Sequence, residues 1–360
     1  MVNIVWFEEY HPDRPERLGG KKTSLGVMTS AGLPVPPGFA VCANAYDKTL
    51  ADTGLVGQLA ALMAGVDPDS LASVSAAGRA ARELVCHVEL PDVLADGIRE
   101  AYAELSRRCG VADVPVAVRS SATCEDQPDA SFAGEHDTYL WVRGADSVID
   151  HVRRCWASLF TDRAITYRRS MGYLDEGAAM SVGVQKMVLP VAAGVAFTLN
   201  PLDGDRSQVA IEASWGFGES VVGGSVTPDN FLVDKVMSHI TRRIISDKAM
   251  EYRLGEDDSV VESPVDDARR LAQCLSDDQV VAVARLARRA EKHYGCPQDV
   301  EWALDDQLPE GENVLLLQSR PETVWSRKTR AVSPDSSDTY RSIVNTLLDS
   351  ARTADSTHSC

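Results

Sequence analysis

Two residues in the last quarter of the chain have the donor atoms of a metal–phosphate site. Glu301 alternates with apolar neighbours in a predicted strand, and Gln318 ends the apolar run VLLLQ. A carboxylate and an amide oxygen are hard oxygen ligands of the kind that Mg²⁺ shares with phosphate groups. Arg320 stands two residues after Gln318, so on a strand both side chains point to one face, and its guanidinium could neutralise a phosphoryl group. An ordinary salt bridge between Glu301 and Arg320 would explain the same residues.

The segment VAVRSSATCEDQPDASFAG, residues 116–134, carries a second set of phosphate-binding groups. A short apolar strand delivers Arg119 at its carboxyl end, hydroxyl-bearing residues follow at once, and the loop ends with Ser131 and Gly134. A fixed charge fork, short donors and exposed backbone N–H groups are what a polyphosphate requires. The alternative is a surface turn in which Arg119 pairs with Glu125 or Asp126.

Two further stretches are weaker candidates for a nucleotide site. Lys21 follows a pair of glycines. Glycines let a backbone approach an anion and a lysine supplies a mobile charge, although a lysine in such a turn is usually solvated. Gln185, Met187 and Val188 lie on a predicted strand, where an amide, a thioether and a backbone edge can form a flat slot for an adenine ring. In most proteins Met187 and Val188 would be core residues.

The predicted elements change in kind along the chain. The first half is mainly helical, with helices over 23–31, several within 45–110 and one long amphipathic helix over 147–170, plus short strands at 39–42 and 115–119. The second half has predicted strands at 182–188, 194–198, 209–213, 231–234, 240–246, 300–304 and 314–318, and one helix over 277–294. The sequence therefore predicts a helix-rich lobe, 1–180, a strand-rich lobe, 181–326, and a polar tail, 327–360. An apolar stripe over 340–351 of that tail predicts a helix, which either packs on its own domain or docks another subunit.

Composition limits the partners and the compartment. The formal net charge of −17 argues against nucleic acid or an anionic membrane as the main partner. The eight cysteines include no Cys-x-x-Cys pair, and the first residues are polar and acidic. The expectation is therefore a cytoplasmic protein with reduced thiols and no membrane span. No histidine stands in a nucleophile or metal-pair arrangement.

Ten sequence blocks, in order between residues 15 and 326, resemble one known domain. It is the N-terminal nucleotide-binding domain of the pyruvate phosphate dikinase and phosphoenolpyruvate synthase family, which rifampicin phosphotransferase and the ATP-binding subunit of phenylphosphate synthase share. The blocks are GGKKTSLG, AGLPVPPGF, VAVRSSATCEDQPDASFAGEHDTYL, CWASLFTDRAITYR, QKMV, GVAFTLNP, EASWGFGESVVGG, TPDNF, QDVEWA and LLQSRPETVWS. The resemblance implies an α+β ATP-grasp fold with two lobes, and ATP and Mg²⁺ bound in the cleft between them.

The resemblance also implies a role for each matching site residue. The residues placed on the ATP phosphates, which form the catalytic set, are Lys21, Arg119 and Arg320, with Ser131 to Gly134 as the loop that closes over them. Those placed on adenine are Gln185, Met187 and Val188. The magnesium ligands are Glu301 and Gln318, while Glu212 and Glu219 would touch the ribose or the metal region.

The family's phosphoryl-carrying histidine has no counterpart in this sequence. It belongs to a swivelling domain with a Gly-Gly-x-x-(Ser/Thr)-His-Ala segment, which does not occur here. The expectation is the ATP-binding subunit of a dikinase-type phosphotransferase, which converts ATP, water and an acceptor to AMP, phosphate and the phosphorylated acceptor. A separate subunit would carry the phosphohistidine and the acceptor site, with a phenol or cresol as the first acceptor. The alternatives are the nucleotide-binding domain of a phosphoenolpyruvate synthase or rifampicin phosphotransferase-like enzyme, a non-catalytic ATP-binding module, and an ATP-grasp ligase that joins a carboxylate to an amine.

Overall fold

The computed structural model describes residues 3–11, 19–67, 69–122, 138–170, 179–256 and 258–325, with the backbone alone at 19–22, 122 and 170. The α-helices in this part of the chain are α1 Gly19–Ser30, α2 Ala43–Asp52, α3 Leu55–Ala64, α4 Leu71–Cys86, α5 Asp92–Cys109, α6 Ala145–Ala157, α7 Asp162–Ser170, α8 Glu219–Val222, α9 Asp267–Arg270 and α10 Asp277–Tyr294. The strands are β1 Ile4–Trp6, β2 Gly38–Val41, β3 Val116–Ala122, β4 Thr138–Val142, β5 Met180–Lys186, β6 Ala192–Phe197, β7 Gln208–Trp215, β8 Asp229–Asp234, β9 Ile240–Ile244, β10 Met250–Leu254, β11 Val260–Pro264, β12 Gln298–Leu304 and β13 Val314–Pro321.

The first sheet has five antiparallel strands in the order β1-β2-β5-β3-β4. One of its faces is apolar and packs on helices of the first half. Val118 and Val184 from this face share a core with Ile98 of α5 and with Val152 and Trp156 of α6. Side chains alternate between the two faces along each strand. The residues that flank each of these valines in its own strand therefore point to the opposite face.

The second sheet has six antiparallel strands in the order β13-β12-β6-β7-β8-β9, and α10 covers one of its faces. The prediction of a helix over 277–294 is confirmed at both ends. Ser276 and Gln279 form a capping box at its start, and Gly295 at φ 69° ends it. Val280, Val283 and the other buried residues of α10 pack against this sheet.

The single helix predicted over 147–170 is wrong. The chain forms α6, a short 3-10 turn at Ser158–Phe160, and then α7. Thr161 has extended backbone, and its hydroxyl caps α7 by accepting the N–H of Ala164 at 3.2 Å. The apolar spacing survives the break because Trp156, Leu159 and Phe160 all remain buried.

Other differences concern the second half and the tail. The hairpin of β10 and β11 was not predicted, and the helix predicted at 340–351 lies outside the described residues. All the described elements belong to one compact unit that ends at Glu322. The domain division at residue 180 stays a prediction, and β5, which begins at Met180, pairs within the first sheet. None of the described helices has both the length and the apolar character to cross a membrane.

Candidate nucleotide site

A polar pair lies on the face of the second sheet opposite α10. Glu301 of β12 is directly across from Gln318 of β13, so their side chains share one face with Cβ atoms about 5 Å apart. The neighbours Val300 and Trp302 point to the other face and pack in the core with α10. Both polar residues are half-buried. The predicted magnesium ligands are therefore adjacent and on one face.

A β-bulge beside this pair is in contact with the first sheet. The pairing of β12 with β13 includes one extra residue, Leu317, just before Gln318. The carbonyl oxygen of Leu317 accepts a hydrogen bond of 3.4 Å from Nη1 of Arg119 in β3. The Nε group of Arg119 is buried without a hydrogen-bond partner among the described residues. A buried donor without a partner is costly, so an anion next to Gln318 would satisfy this guanidinium.

Arg320 pairs with a carboxylate that was not among the predicted site residues. Its Nε lies 3.3 Å from Oδ2 of Asp299, the residue directly across on β12. Within the described part of the chain the arginine thus bridges to Asp299 and not to Glu301. Burial raises the pKa of the Asp299 carboxyl, and the charge of Arg320 opposes that shift. Strand alternation was the signal for Asp299, because residues two apart on a strand share a face, and Asp299 precedes Glu301 by two.

The helix that carries Lys21 lies on the same face of the first sheet as Arg119. Arg119 and Ala40 belong to one cross-strand row, and Ala40 packs in a cluster with α1. Ser24, one turn after Lys21, donates from its hydroxyl to the carbonyl oxygen of Ser319 in β13 at 2.8 Å. The start of α1 is thereby held close to the polar pair. The side chain of Lys21 is not among those that the structure describes, so its phosphate role stays a prediction.

The phosphate loop predicted from Ser131 to Gly134 lies outside the described residues. Glu125 and Asp126, the alternative partners of Arg119, lie outside them too. The structure does fix the strand that leads into this segment, since β3 runs from Val116 to Ala122 and carries Arg119 on it.

The three residues predicted to hold adenine lie where the chain passes from the first sheet to the second. Gln185, in β5, is 2% exposed, and its Nε2 donates to the carbonyl oxygen of Pro36 at 3.3 Å. Met187 and Val188 follow β5 and lead to β6. Met187 packs with Ala117 of the first sheet, whereas Val188 packs against β6 and β12 of the second. Met187 and Val188 are both buried, which agrees with the interpretation as core residues. Both also lie at the junction of the two sheets, which agrees with the adenine prediction.

Glu212 extends the polar row of the second sheet. It lies on β7 in the same cross-strand row as Glu301, with Val195 of β6 between them, which corresponds to two strand spacings or about 10 Å. Burial raises the pKa of the Glu212 carboxyl. Glu219 is exposed in the first turn of α8, where a Cβ on the preceding Gly218 would contact β6. The structure thus places Glu212 on the same sheet face as the polar pair of Glu301 and Gln318, and Glu219 at the border of that face.

The oxygen atoms of Glu301 and Gln318 are suitable ligands for a Mg²⁺ ion that also binds phosphate oxygens. Protein-bound Mg²⁺ commonly takes one or two protein ligands plus substrate phosphates. Glu301 and Gln318 supply one carboxylate and one amide oxygen. No group of three His, Cys, Asp or Glu side chains that could hold a metal occurs among the described residues.

The family model named pyruvate phosphate dikinase, AMP/ATP-binding domain, matches residues 15–340. The chain belongs to this family and has the ATP-grasp fold, which confirms the resemblance seen in the sequence.

The comparisons also identify relatives. The probable phosphoenolpyruvate synthase of Staphylothermus marinus is 44% identical over 345 residues, 90% of this chain. The phosphoenolpyruvate synthase of Pseudomonas aeruginosa is 42% identical over 332 residues, 88% of this chain. The match spans 41% of the length of each of these relatives. Among solved structures, D-alanyl-alanine synthetase A of Vibrio cholerae shares 10% identity at a TM-score of 0.32, over 83% of this chain and 54% of its own.

Proposed function

We propose that this chain binds MgATP between its two sheets and performs the nucleotide half of a dikinase reaction, in which ATP, water and pyruvate yield AMP, phosphate and phosphoenolpyruvate. The observation that carries the proposal is the contact of Arg119 with the bulge at Leu317, since it brings a guanidinium, a group suited to bind phosphate, beside Glu301 and Gln318. Membership of an AMP/ATP-binding family supports the nucleotide. The names of the relatives support pyruvate as the acceptor better than the phenol that the sequence first suggested.

In this proposal the protein mainly positions the phosphates and neutralises their charge, which is what phosphoryl transfer requires. Glu301 and Gln318 would hold Mg²⁺, which when bound neutralises charge on the phosphate oxygens. Arg119 contacts the phosphates from the first sheet and Arg320 from the second. Asp299 orients Arg320 through their ion pair, so that the guanidinium stays on the face of the magnesium ligands.

The phosphoryl-carrying histidine would belong to another subunit or another domain. This chain lacks the histidine segment typical of the family. Because the match spans 41% of the relatives named above, those proteins have the length for a further domain. A partner with an exposed histidine would accept the phosphoryl group at this site. The polar tail, with its apolar stripe, stays a candidate for the docking element.

Calorimetric titration of the chain with ATP, with and without Mg²⁺, tests the nucleotide site. Binding should require Mg²⁺, and Glu301→Gln should weaken it more than about tenfold, because loss of a carboxylate ligand removes a strong charge interaction. Glu310→Gln is the matched control, since Glu310 is exposed in the turn between β12 and β13 and its loss removes the same charge. Equal ATP affinity in Glu301→Gln and wild type would contradict the magnesium assignment.

Product analysis tests the reaction type. The chain would be mixed with the histidine-bearing part of a phosphoenolpyruvate synthase relative, pyruvate and ATP. The proposal expects AMP and phosphate in equal amounts. Formation of ADP as the nucleotide product would refute the dikinase reaction while leaving ATP binding intact.

A further inference from the structure

An aromatic residue at the edge of the first sheet has an unfavourable backbone conformation close to Met187. Trp141 of β4 has φ 59°, a left-handed value that bulky side chains rarely adopt. It lies at a bulge, because Leu140 and Trp141 together stand opposite the single residue Ala117 of β3. Such a conformation costs stability and persists where packing or function requires it.

The bulge brings Trp141 to the face that carries the predicted nucleotide residues. Trp141 packs against a buried cluster of Ala117, Met187 and Phe217. Ala117 lies directly across from Gln185, so it shares a face with that predicted adenine residue. Phe217 follows β7 of the second sheet, and its ring meets that of Trp141 edge to face at a centroid distance of 6.2 Å. An aromatic contact between the two sheets therefore flanks the residues predicted to hold the base.

Trp141 also has a hydrogen-bond donor that none of the described residues uses. Its Nε1 is buried and has no partner in the part of the chain that the structure describes, whereas a buried indole N–H normally finds one. The guanidinium of Arg143 lies 5.8 Å from the ring centroid and 3.7 Å from a carboxylate oxygen of Asp258, so it contributes charge near the ring but no acceptor. A ligand that offers both a flat ring and an acceptor atom would complete the contacts of this side chain.

We propose that Trp141 contacts the base of the bound nucleotide and gives the site a preference for a purine. The proposal rests on the proposed function, because it takes Met187 and Val188 as the backbone segment that holds the base. A purine has two fused rings with several acceptor nitrogens. It extends farther from that segment than a pyrimidine does, and so it reaches both the ring and the N–H group of Trp141.

Competition binding with ATP, CTP and inorganic tripolyphosphate, each with Mg²⁺, separates the base from the phosphates. Trp141→Ala should weaken ATP about tenfold or more, as expected for loss of one base-stacking contact, weaken CTP less, and leave tripolyphosphate unchanged. Trp141→Phe keeps a ring and removes the N–H, so its loss of ATP affinity should be smaller, roughly twofold to tenfold. If Trp141→Ala does not fold, the phenylalanine variant still tests the preference.

Trp6→Ala is the matched control. Trp6 is half-buried on β1, the opposite edge of the same sheet, where it contacts Phe39 and the guanidinium of Arg108. Its removal should alter stability but leave all three ligands unaffected. Two results would overturn the role of Trp141 without affecting the proposed function. One is an unchanged ratio of ATP to CTP affinity in both Trp141 variants, and the other is an equal loss of affinity for all three ligands. A wild-type chain that binds neither ATP nor tripolyphosphate would overturn the proposed function itself.

Discussion

A fully buried ion pair joins three segments of the second half of the chain. Nζ of Lys248 lies 2.6 Å from Oδ1 of Asp229, and both side chains are 0% exposed. Asp229 also accepts the backbone N–H groups of Ser246 and Cys274, each at 3.0 Å. One carboxylate thus ties the start of β8 to the segment before β10 and to the segment before α10.

Replacing Lys248 by Met keeps an unbranched side chain and removes the charge that compensates Asp229. Breaking one partner of a buried ion pair costs about 3–5 kcal/mol, because the remaining charge is desolvated and unpaired. The two backbone N–H groups still bind the carboxylate, so we expect a loss near the lower end, about 3 kcal/mol. The double variant with Asp229→Asn should lose less than the sum of the two single variants, since neither charge is then left alone.

Urea unfolding at pH 7, followed by circular dichroism, measures these losses through the midpoint and slope of the transition. Arg270→Met is the control, because Arg270 pairs with Asp247 in an exposed bidentate contact at 2.6 and 2.8 Å, and exposed pairs contribute little. A loss below about 1 kcal/mol in Lys248→Met, or strictly additive losses in the double variant, would refute the reasoning from burial.

Two further predictions concern a close backbone approach and a buried thiol. Gly194→Ala should lose more than about 2 kcal/mol in thermal unfolding, because its Cβ would lie 1.9 Å from the carbonyl oxygen of Glu212. In contrast, Gly57→Ala should gain about 0.5–1 kcal/mol of stability, because its Cβ meets nothing within 4 Å. A Gly194→Ala variant more stable than Gly57→Ala would contradict this reasoning. Burial raises the pKa of the Cys274 thiol. The thiol stays protonated in the folded protein but ionises in the unfolded chain above about pH 8.5. The free energy of unfolding should therefore fall as the pH rises above that value. Mass spectrometry should therefore find iodoacetamide on Cys274 only after unfolding, and rapid labelling of the native protein would contradict this.

Local signals decided which elements could be predicted. The helix over 277–294 was predicted from its regular apolar stripe, and the structure adds that Ser276 caps its start and that Gly295 ends it. The apolar stripe over 147–170 was just as regular, but the chain breaks there. The apolar spacing indicates correctly that Trp156, Leu159 and Phe160 are buried. It does not show that the helix is continuous, because a broken helix can bury the same residues.

The sequence by itself determined the family, the donor atoms and which near neighbours share a strand face, since alternation along a strand is a local property. Only the tertiary structure decided that Gln318 faces Glu301, that Arg320 pairs with Asp299 and that Arg119 reaches the bulge. These contacts depend on the register between strands that lie far apart in the chain, and a slip of one residue would turn a side chain to the opposite face. The bulge at Leu317 is such a slip, and no spacing within either strand encodes it.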